Sequence, residues 1–161
     1  MSDTPVYKRI VLAYDGSREG RAALKEGAEL ADACRAEVHL LAVVSPAAGV
    51  AFAESVEPSG LLDDEERHLR AVLEEGLERL RHRGLVAQGS LRWGDPTAEI
   101  LAVARAVRAD LIVLGHRAEA GLTRWWRGSL GEDILRDTPC SVLVAVHPGD
   151  SGVAESVADG D

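Results

Sequence analysis

The stretch Asp110–Leu130, "DLIVLGHRAEAGLTRWWRGSL", contains the succession of features that decides the fold. Its first five residues form an apolar run, which predicts a buried β-strand. A loop with several glycines follows from Gly115 to Ser129, and a helical pattern then covers Ser129–Arg136. This order suits an anion, because glycines admit backbone N–H groups and a helix N-terminus carries partial positive charge.

The rest of the chain repeats the alternation of apolar strands with amphipathic helices. The expected strands are Arg9–Tyr14, Glu37–Val44, Val86–Trp93, Leu111–Leu114 and Ser141–Val146. The expected helices are Arg18–Ala33, Asp63–Arg83, a segment opened by Asp95 and Pro96, and Ser129–Arg136. We predict an α/β fold, a single doubly wound five-stranded parallel sheet with helices on both faces, Rossmann-like. The more polar third strand is expected at an edge.

Composition limits the domain organisation and the classes of partner. The chain has 161 residues, of which 46% are hydrophobic and 4% aromatic, so we expect one α/β domain over residues 1–147. The net charge of −9 argues against nonspecific nucleic-acid binding. Four of those negative charges lie in residues 148–161, which we expect to be an acidic disordered tail. Such a tail either solubilises the protein or docks on another surface.

The sequence also bears on location. The N-terminal stretch lacks the apolar region of a signal peptide, and no apolar run approaches the length of a membrane-spanning helix. Cys34 and Cys140 are far apart and form no CxxC motif. We therefore expect a cytoplasmic protein with no membrane partner.

Two loops with the character of a binding site follow strands one and four. Ligands of doubly wound sheets bind outside the carboxyl ends of the strands, where the strand order reverses. If these two strands are neighbours, Asp15-Gly16-Ser17 and Gly115–Ser129 face one crevice. The Asp15 carboxylate can accept hydrogen bonds from a ribose hydroxyl or an adenine amino group. Its alternative role is in a plain turn or a helix cap.

The loop from Gly115 to Ser129 has further features of a phosphate site. Gly128-Ser129 at the helix start offers backbone N–H groups and a hydroxyl, and three arginines can offset phosphate charge: Arg117, Arg124 and Arg127. The alternative is a surface loop with a capping serine. Trp125 and Trp126 either contact a second subunit or the ligand, or pack on the chain's own helices.

Several kinds of enzyme are disfavoured. The sequence has no GxxxxGK[ST] P-loop and no GxSxG nucleophile motif. Its five histidines show neither HxxxH nor HExxH spacing, so we predict no metal ligands and no catalytic residues.

Three separated segments resemble the universal stress protein family. They are "RIVLAYDGS", "ADLIVLGHR" and "GSLGEDILRDTPCSVLVAV", and the resemblance covers Tyr7–Val146. It implies a strand order of 3-2-1-4-5 and a homodimer paired through the last strand. Some members of the family bind ATP and carry the motif Gly-x2-Gly-x9-Gly-(Ser/Thr), whereas others lack both.

The resemblance also implies a set of nucleotide contacts. The spacing of the motif is intact, with Ala118 in place of its second glycine. By position, Asp15 corresponds to the aspartate at the nucleoside and Val43 to the residue against adenine. The remaining expected contacts are Leu114, Gly115, Arg117, Ala118, Gly128, Ser129 and Leu130. If position 118 needs a positive φ, alanine costs roughly 1 kcal/mol there.

Two functions remain open on this basis. The first is a stress or signalling module that binds ATP, ADP or AMP, with or without Mg²⁺, and hydrolyses ATP slowly at most. The second is a dimeric interaction protein of the same family that binds no nucleotide. An enzyme of the wider adenine-nucleotide α-hydrolase-like group is disfavoured, since "DGS" does not supply the "SGG"-type loop of its better-known members.

Overall fold

The computed structural model describes residues 4–45, 58–117 and 130–147. Five strands and four helices alternate along these segments. The strands are β1 (Arg9–Ala13), β2 (Glu37–Val44), β3 (Ala87–Trp93), β4 (Leu111–Arg117) and β5 (Ser141–His147). The helices are α1 (Arg18–Cys34), α2 (Pro58–His82), α3 (Pro96–Ala106) and α4 (Leu130–Asp137). Within the described residues, no helix is long and apolar enough to span a membrane.

The five strands form one parallel sheet in the order β3-β2-β1-β4-β5. This confirms the predicted fold class and strand order, and it places the more polar β3 at an edge as expected. The central strand β1 pairs Leu12 with Leu40 of β2 and with Val113 of β4. The strand order therefore reverses at β1, and the carboxyl ends of β1 and β4 lie side by side.

Each face of the sheet carries its own hydrophobic core. One core joins α1 and α2 to strand residues such as Leu12, Leu40 and Val113. The other joins α3 and α4 to residues such as Val11, Leu41 and Ile112. Neighbouring residues of a strand point to opposite faces, so a near-continuous apolar strand fills both cores.

Side-chain caps fix the starts of two helices. The Ser17 hydroxyl accepts a hydrogen bond from the Gly20 amide at 3.0 Å and begins α1. The Asp95 carboxylate accepts one from the Ala98 amide at 3.0 Å, and Pro96 occupies the first turn of α3. The predicted cap at Asp95 is thus confirmed.

Two element boundaries differ from the sequence prediction by more than one residue. Helix α2 begins at Pro58, not Asp63, because the fixed φ of proline suits a first helical position. Strand β4 continues to Arg117, whereas we expected a loop from Gly115. The pairing of Gly115 with Ala145 and of Arg117 with His147 extends this strand, since the ladder with β5 outweighs the low strand propensity of glycine.

Candidate functional site

The carboxyl ends of β1 and β4 form one edge of the sheet next to the first turn of α1. Asp15 follows β1 by two residues, and Gly115 lies near the end of β4. The pairing of β1 with β4 thus brings the two predicted loops to the same edge. Such an edge at a reversal of strand order is where doubly wound sheets bind ligands.

The Asp15 carboxylate organises the turn that leads into α1. Its Oδ1 atom accepts hydrogen bonds from the Ser17 amide at 3.0 Å and from the Ser17 hydroxyl at 2.5 Å. A Cβ at Gly20 would come within 2.6 Å of the same oxygen, so glycine leaves the space that the carboxylate occupies. Gly16 completes the turn with a φ of +76°, which favours glycine. Asp15 is half-buried, and both of these hydrogen bonds engage Oδ1.

Val43 and Leu114 provide an apolar surface beside this turn. They lie near the carboxyl ends of β2 and β4, and both belong to the core that α3 and α4 cover. Both side chains are buried in the protein, so their part in a site would be to shape its floor. Together with Asp15, they place a carboxylate and apolar carbon at neighbouring strand ends.

Gly115 has a structural role that the sequence did not reveal. A Cβ at this position would overlap the backbone carbonyl of Glu19 and lie 3.2 Å from the Gly20 nitrogen. Only a residue without a side chain allows the first turn of α1 to pack so closely on β4. The prediction attributed Gly115 to the approach of a phosphate; close helix packing already requires it.

Tyr14 is a further residue that the prediction did not single out. Its ring is buried and faces Gly76 of α2, where an added Cβ would lie 3.0 Å from the ring carbon Cε1. Its hydroxyl is buried without a hydrogen-bond partner among the described residues. Burial raises the pKa of this phenol and Glu75 raises it further, while Arg21 and Arg79 nearby act in the opposite direction. Its position at the end of the apolar run "RIVLAY" was the available signal.

The remaining predicted contacts are described only in part. Arg117 is the last residue of β4 and Leu130 the first of α4, and only their backbone is described. Ala118, Gly128 and Ser129 lie outside the described residues, as do Trp125 and Trp126. In the described ranges, no group of three or more His, Cys, Asp or Glu side chains is placed to hold a metal ion.

The sequence of the whole domain matches one protein family. The model of the universal stress protein family matches residues 6–146. The chain belongs to this family. A universal stress protein of Methanocaldococcus jannaschii is 33% identical over 146 residues, which cover 89% of this chain and 84% of the relative.

Solved structures of universal stress proteins share the fold. One from Burkholderia pseudomallei is 30% identical with a TM-score of 0.65, covering 86% of this chain and 95% of that chain. A universal stress protein solved in complex with cAMP is 23% identical with a TM-score of 0.62, covering 88% of this chain and 97% of that chain. One from Arabidopsis thaliana was solved with AMP bound, at 15% identity and a TM-score of 0.65, covering 92% of this chain and 97% of that chain. Adenine nucleotides thus occur in members of this fold.

Proposed function

We propose that this universal stress protein is an adenine-nucleotide-binding module of the stress response. It would bind ATP, ADP or AMP at the carboxyl edge of β1 and β4 and respond by a change in loop or dimer state. The observation that carries the proposal is the position of Asp15 beside Val43 and Leu114 at the reversal of strand order. The AMP-bound and cAMP-bound relatives support the choice of ligand.

The chemistry of the described side chains fits a nucleoside. A carboxylate accepts hydrogen bonds from ribose hydroxyls, and we assign this role to Oδ2 of Asp15, since Ser17 holds Oδ1. Val43 and Leu114 are buried at the strand ends and would form the apolar floor beneath a base. We assign the phosphates to the segment Gly115–Leu130, with Arg117, Ala118, Gly128, Ser129 and Leu130 as contacts.

Magnesium would enter with the nucleotide. Mg²⁺ commonly binds through substrate phosphates and keeps several of its waters, so it needs few protein ligands. It would neutralise phosphate charge. The sequence predicts no catalytic residue, so we expect slow hydrolysis at most.

The substitution Ala118→Gly tests the phosphate segment by calorimetry with Mg-ATP. If alanine strains this position, glycine relieves roughly 1 kcal/mol and tightens binding about fivefold. A wild type that binds at micromolar concentration supports the proposal. If Mg-ATP binds to the Ala118→Gly variant but not to the wild type, the methyl group of Ala118 disables the site.

Absence of Mg-ATP binding to both the wild type and the Ala118→Gly variant would contradict the proposal. It would favour the alternative of an interaction module without nucleotide, in which Trp125 and Trp126 contact a partner protein. The same experiment with AMP shows whether binding requires the β- and γ-phosphates of ATP.

The family resemblance extends the proposal to assembly and location. We propose a homodimer paired through β5 and a cytoplasmic location. Val146 near the end of β5 is 53% exposed in the single chain, which suits an edge that a second copy covers. We also propose that the domain comprises residues 1–147 and that residues 148–161 form a separate acidic segment.

A further inference from the structure

Helices α1 and α2 enclose a groove on the face of the sheet opposite to Val43 and Leu114. The groove has a volume of about 570 Å³. Apolar side chains, among them Leu24 and Leu80, form part of its lining. Five basic residues complete the lining: Arg18, Arg21, Lys25, Arg79 and Arg83. All five are exposed to solvent, so their charges are available to a partner.

This concentration of positive charge contrasts with the rest of the chain, whose net charge is −9. Glu75 contacts two of the basic side chains, Arg79 at 2.7 Å and Arg21 at 3.9 Å. Within the described part of the chain, Lys25 and Arg83 have no carboxylate within 4.0 Å. Basic side chains that line one groove repel one another, and an anionic occupant would relieve this repulsion.

The segment that follows β5 has the complementary chemistry. Residues 148–161, "PGDSGVAESVADGD", contain no basic residue. Their four acidic side chains are Asp150, Glu155, Asp159 and Asp161. Small apolar side chains lie between them, including Val153 and Val157. Such a segment can pair its carboxylates with the basic rim while its valines cover apolar lining such as Leu24.

The distance from β5 to the groove is within reach. Strand β5 is two strands from β1, and neighbouring strands are about 4.8 Å apart, so the lateral offset is about 10 Å. Arg18 lies at the carboxyl edge of the sheet, where β5 also ends. The segment 148–161 spans up to about 45 Å when extended. Its attachment to the same chain also gives it a high effective concentration at the groove.

We propose that the acidic segment 148–161 docks in the basic groove between α1 and α2. The contact is intramolecular, is electrostatic in its main part, and is separate from the proposed nucleotide site. A polyanion that binds the groove would have to displace the segment. Docking therefore provides selectivity against weakly binding anions.

Carbodiimide cross-linking of the full wild-type chain tests the proposal without any substitution. The reagent joins a carboxylate to an amine in direct contact, and the chain has two lysines, Lys25 in the groove and Lys8 before β1. We expect a link from Lys25 to a carboxylate in residues 150–161, located by fragment-ion mass spectrometry. Lys8 is the internal control. A segment linked to Lys8 as often as to Lys25, or to neither, overturns the proposal.

A second experiment measures binding in trans. The probe is a fluorescent peptide of sequence 148–161, titrated into the full chain carrying D150N, E155Q, D159N and D161N. We expect binding at low salt that falls at least tenfold in 0.5 M NaCl. Binding to the wild type should be weaker by threefold or more, because its own segment competes.

Matched charge reversals locate the bound peptide. Adding Lys25→Glu and Arg83→Glu should weaken peptide binding at least tenfold. Adding Arg67→Glu and Arg70→Glu, on α2 outside the groove lining, makes the same charge change and should alter binding less than twofold. Equal losses in both pairs would indicate net charge alone and overturn the proposal. Equal affinity of the groove for inorganic triphosphate in the wild type and in the chain carrying D150N, E155Q, D159N and D161N would also overturn the proposal.

Discussion

Asp15 shows how one side chain can serve both the fold and a proposed ligand. Its Oδ1 atom holds the Ser17 amide and hydroxyl, and Ser17 in turn caps α1 through the Gly20 amide. The two roles that the sequence left open, a turn residue and a nucleoside contact, are therefore compatible. The turn also fixes the direction of the carboxylate before any ligand arrives, which lowers the entropic cost of binding.

At the residue scale, Gly115→Ala tests the close packing of α1 on β4. The added methyl group would overlap the Glu19 carbonyl, and backbone cannot yield as a flexible side chain can. We expect a loss of about 1–3 kcal/mol in the free energy of unfolding, measured by urea denaturation. Gly60→Ala is the control, because a Cβ there meets no atom within 4 Å, and it should cost nothing.

A Gly115→Ala variant as stable as wild type would show that α1 is not held so closely. The same variant separates the two explanations for this glycine. If nucleotide affinity falls while the variant stays folded, the glycine also serves the phosphate. The sequence alone could not distinguish these roles, since both require a missing side chain and the packing partner Glu19 is 96 positions away in the chain.

At the scale of elements, periodicity predicted the helices and strands well because each has one clear pattern. Strand β2 was predicted to the residue at Glu37–Val44, since its apolar run ends at Ser45-Pro46. The ends of β4 and α2 were missed for different reasons. Pairing with β5 extends β4 past Gly115, and the local sequence does not contain this tertiary contact. Helix α2 begins at Pro58, before the apolar stripe from which its start was predicted, because proline suits a first helical position.

The pair of strands β2 and β3 contains a partly buried histidine, His39, that makes stability depend on pH. The Nε2 atom of His39 lies 2.9 Å from the Ser90 hydroxyl. Burial lowers the pKa of His39, and the positive charge of Arg92 lowers it further. The unfolded chain takes up this proton near pH 6.5, whereas the folded chain does so only at lower pH. Stability from this group is therefore lost as the pH falls below about 6.5, until the folded pKa is passed.

We expect His39→Gln to reduce that pH dependence. The free energy of unfolding, measured by urea at pH 7.5 and 5.5, should fall more in wild type than in the variant. The exposed histidines His68 and His82 are present in both chains, so their effects cancel in the comparison. Equal falls in the two chains would contradict the assignment to His39, whatever the absolute stability of the variant.

At the scale of the whole molecule, the order of the strands creates the candidate site. Alternating strands and helices predicted a doubly wound sheet, and the family resemblance implied which strands are neighbours. The structure bears out both, and β1 meets β4 at the reversal. The phosphate-binding role of the segment after β4 remains a prediction, since the motif fixes only its spacing and residues 118–129 lie outside the described residues. The chemistry of Ala118 depends on its backbone angles, which composition and spacing do not determine.

The proposed dimer is a prediction at the same scale. Sedimentation velocity should give twice the chain mass of 17.2 kDa. Val146→Asp should shift the protein toward the monomer, because a buried carboxylate at a β5 interface is costly. Val86→Asp is the matched control, since Val86 is also an exposed valine but precedes the opposite edge strand. A monomeric wild type, or equal dissociation by both variants, would contradict pairing through β5.

The most direct test of the central claim is calorimetric titration of Mg-ATP into wild type, Asp15→Asn and Asp110→Asn. Asp110 is the control, because its carboxylate also accepts hydrogen bonds from backbone amides, those of Lys8 and Arg9. It lies at the amino ends of β1 and β4, away from the proposed site. We predict micromolar binding to wild type, unchanged binding to Asp110→Asn, and at least fivefold weaker binding to Asp15→Asn, because a hydrogen bond to a charged acceptor contributes about 1.5–3 kcal/mol. Equal affinity of wild type and Asp15→Asn would contradict a nucleotide site at the ends of β1 and β4.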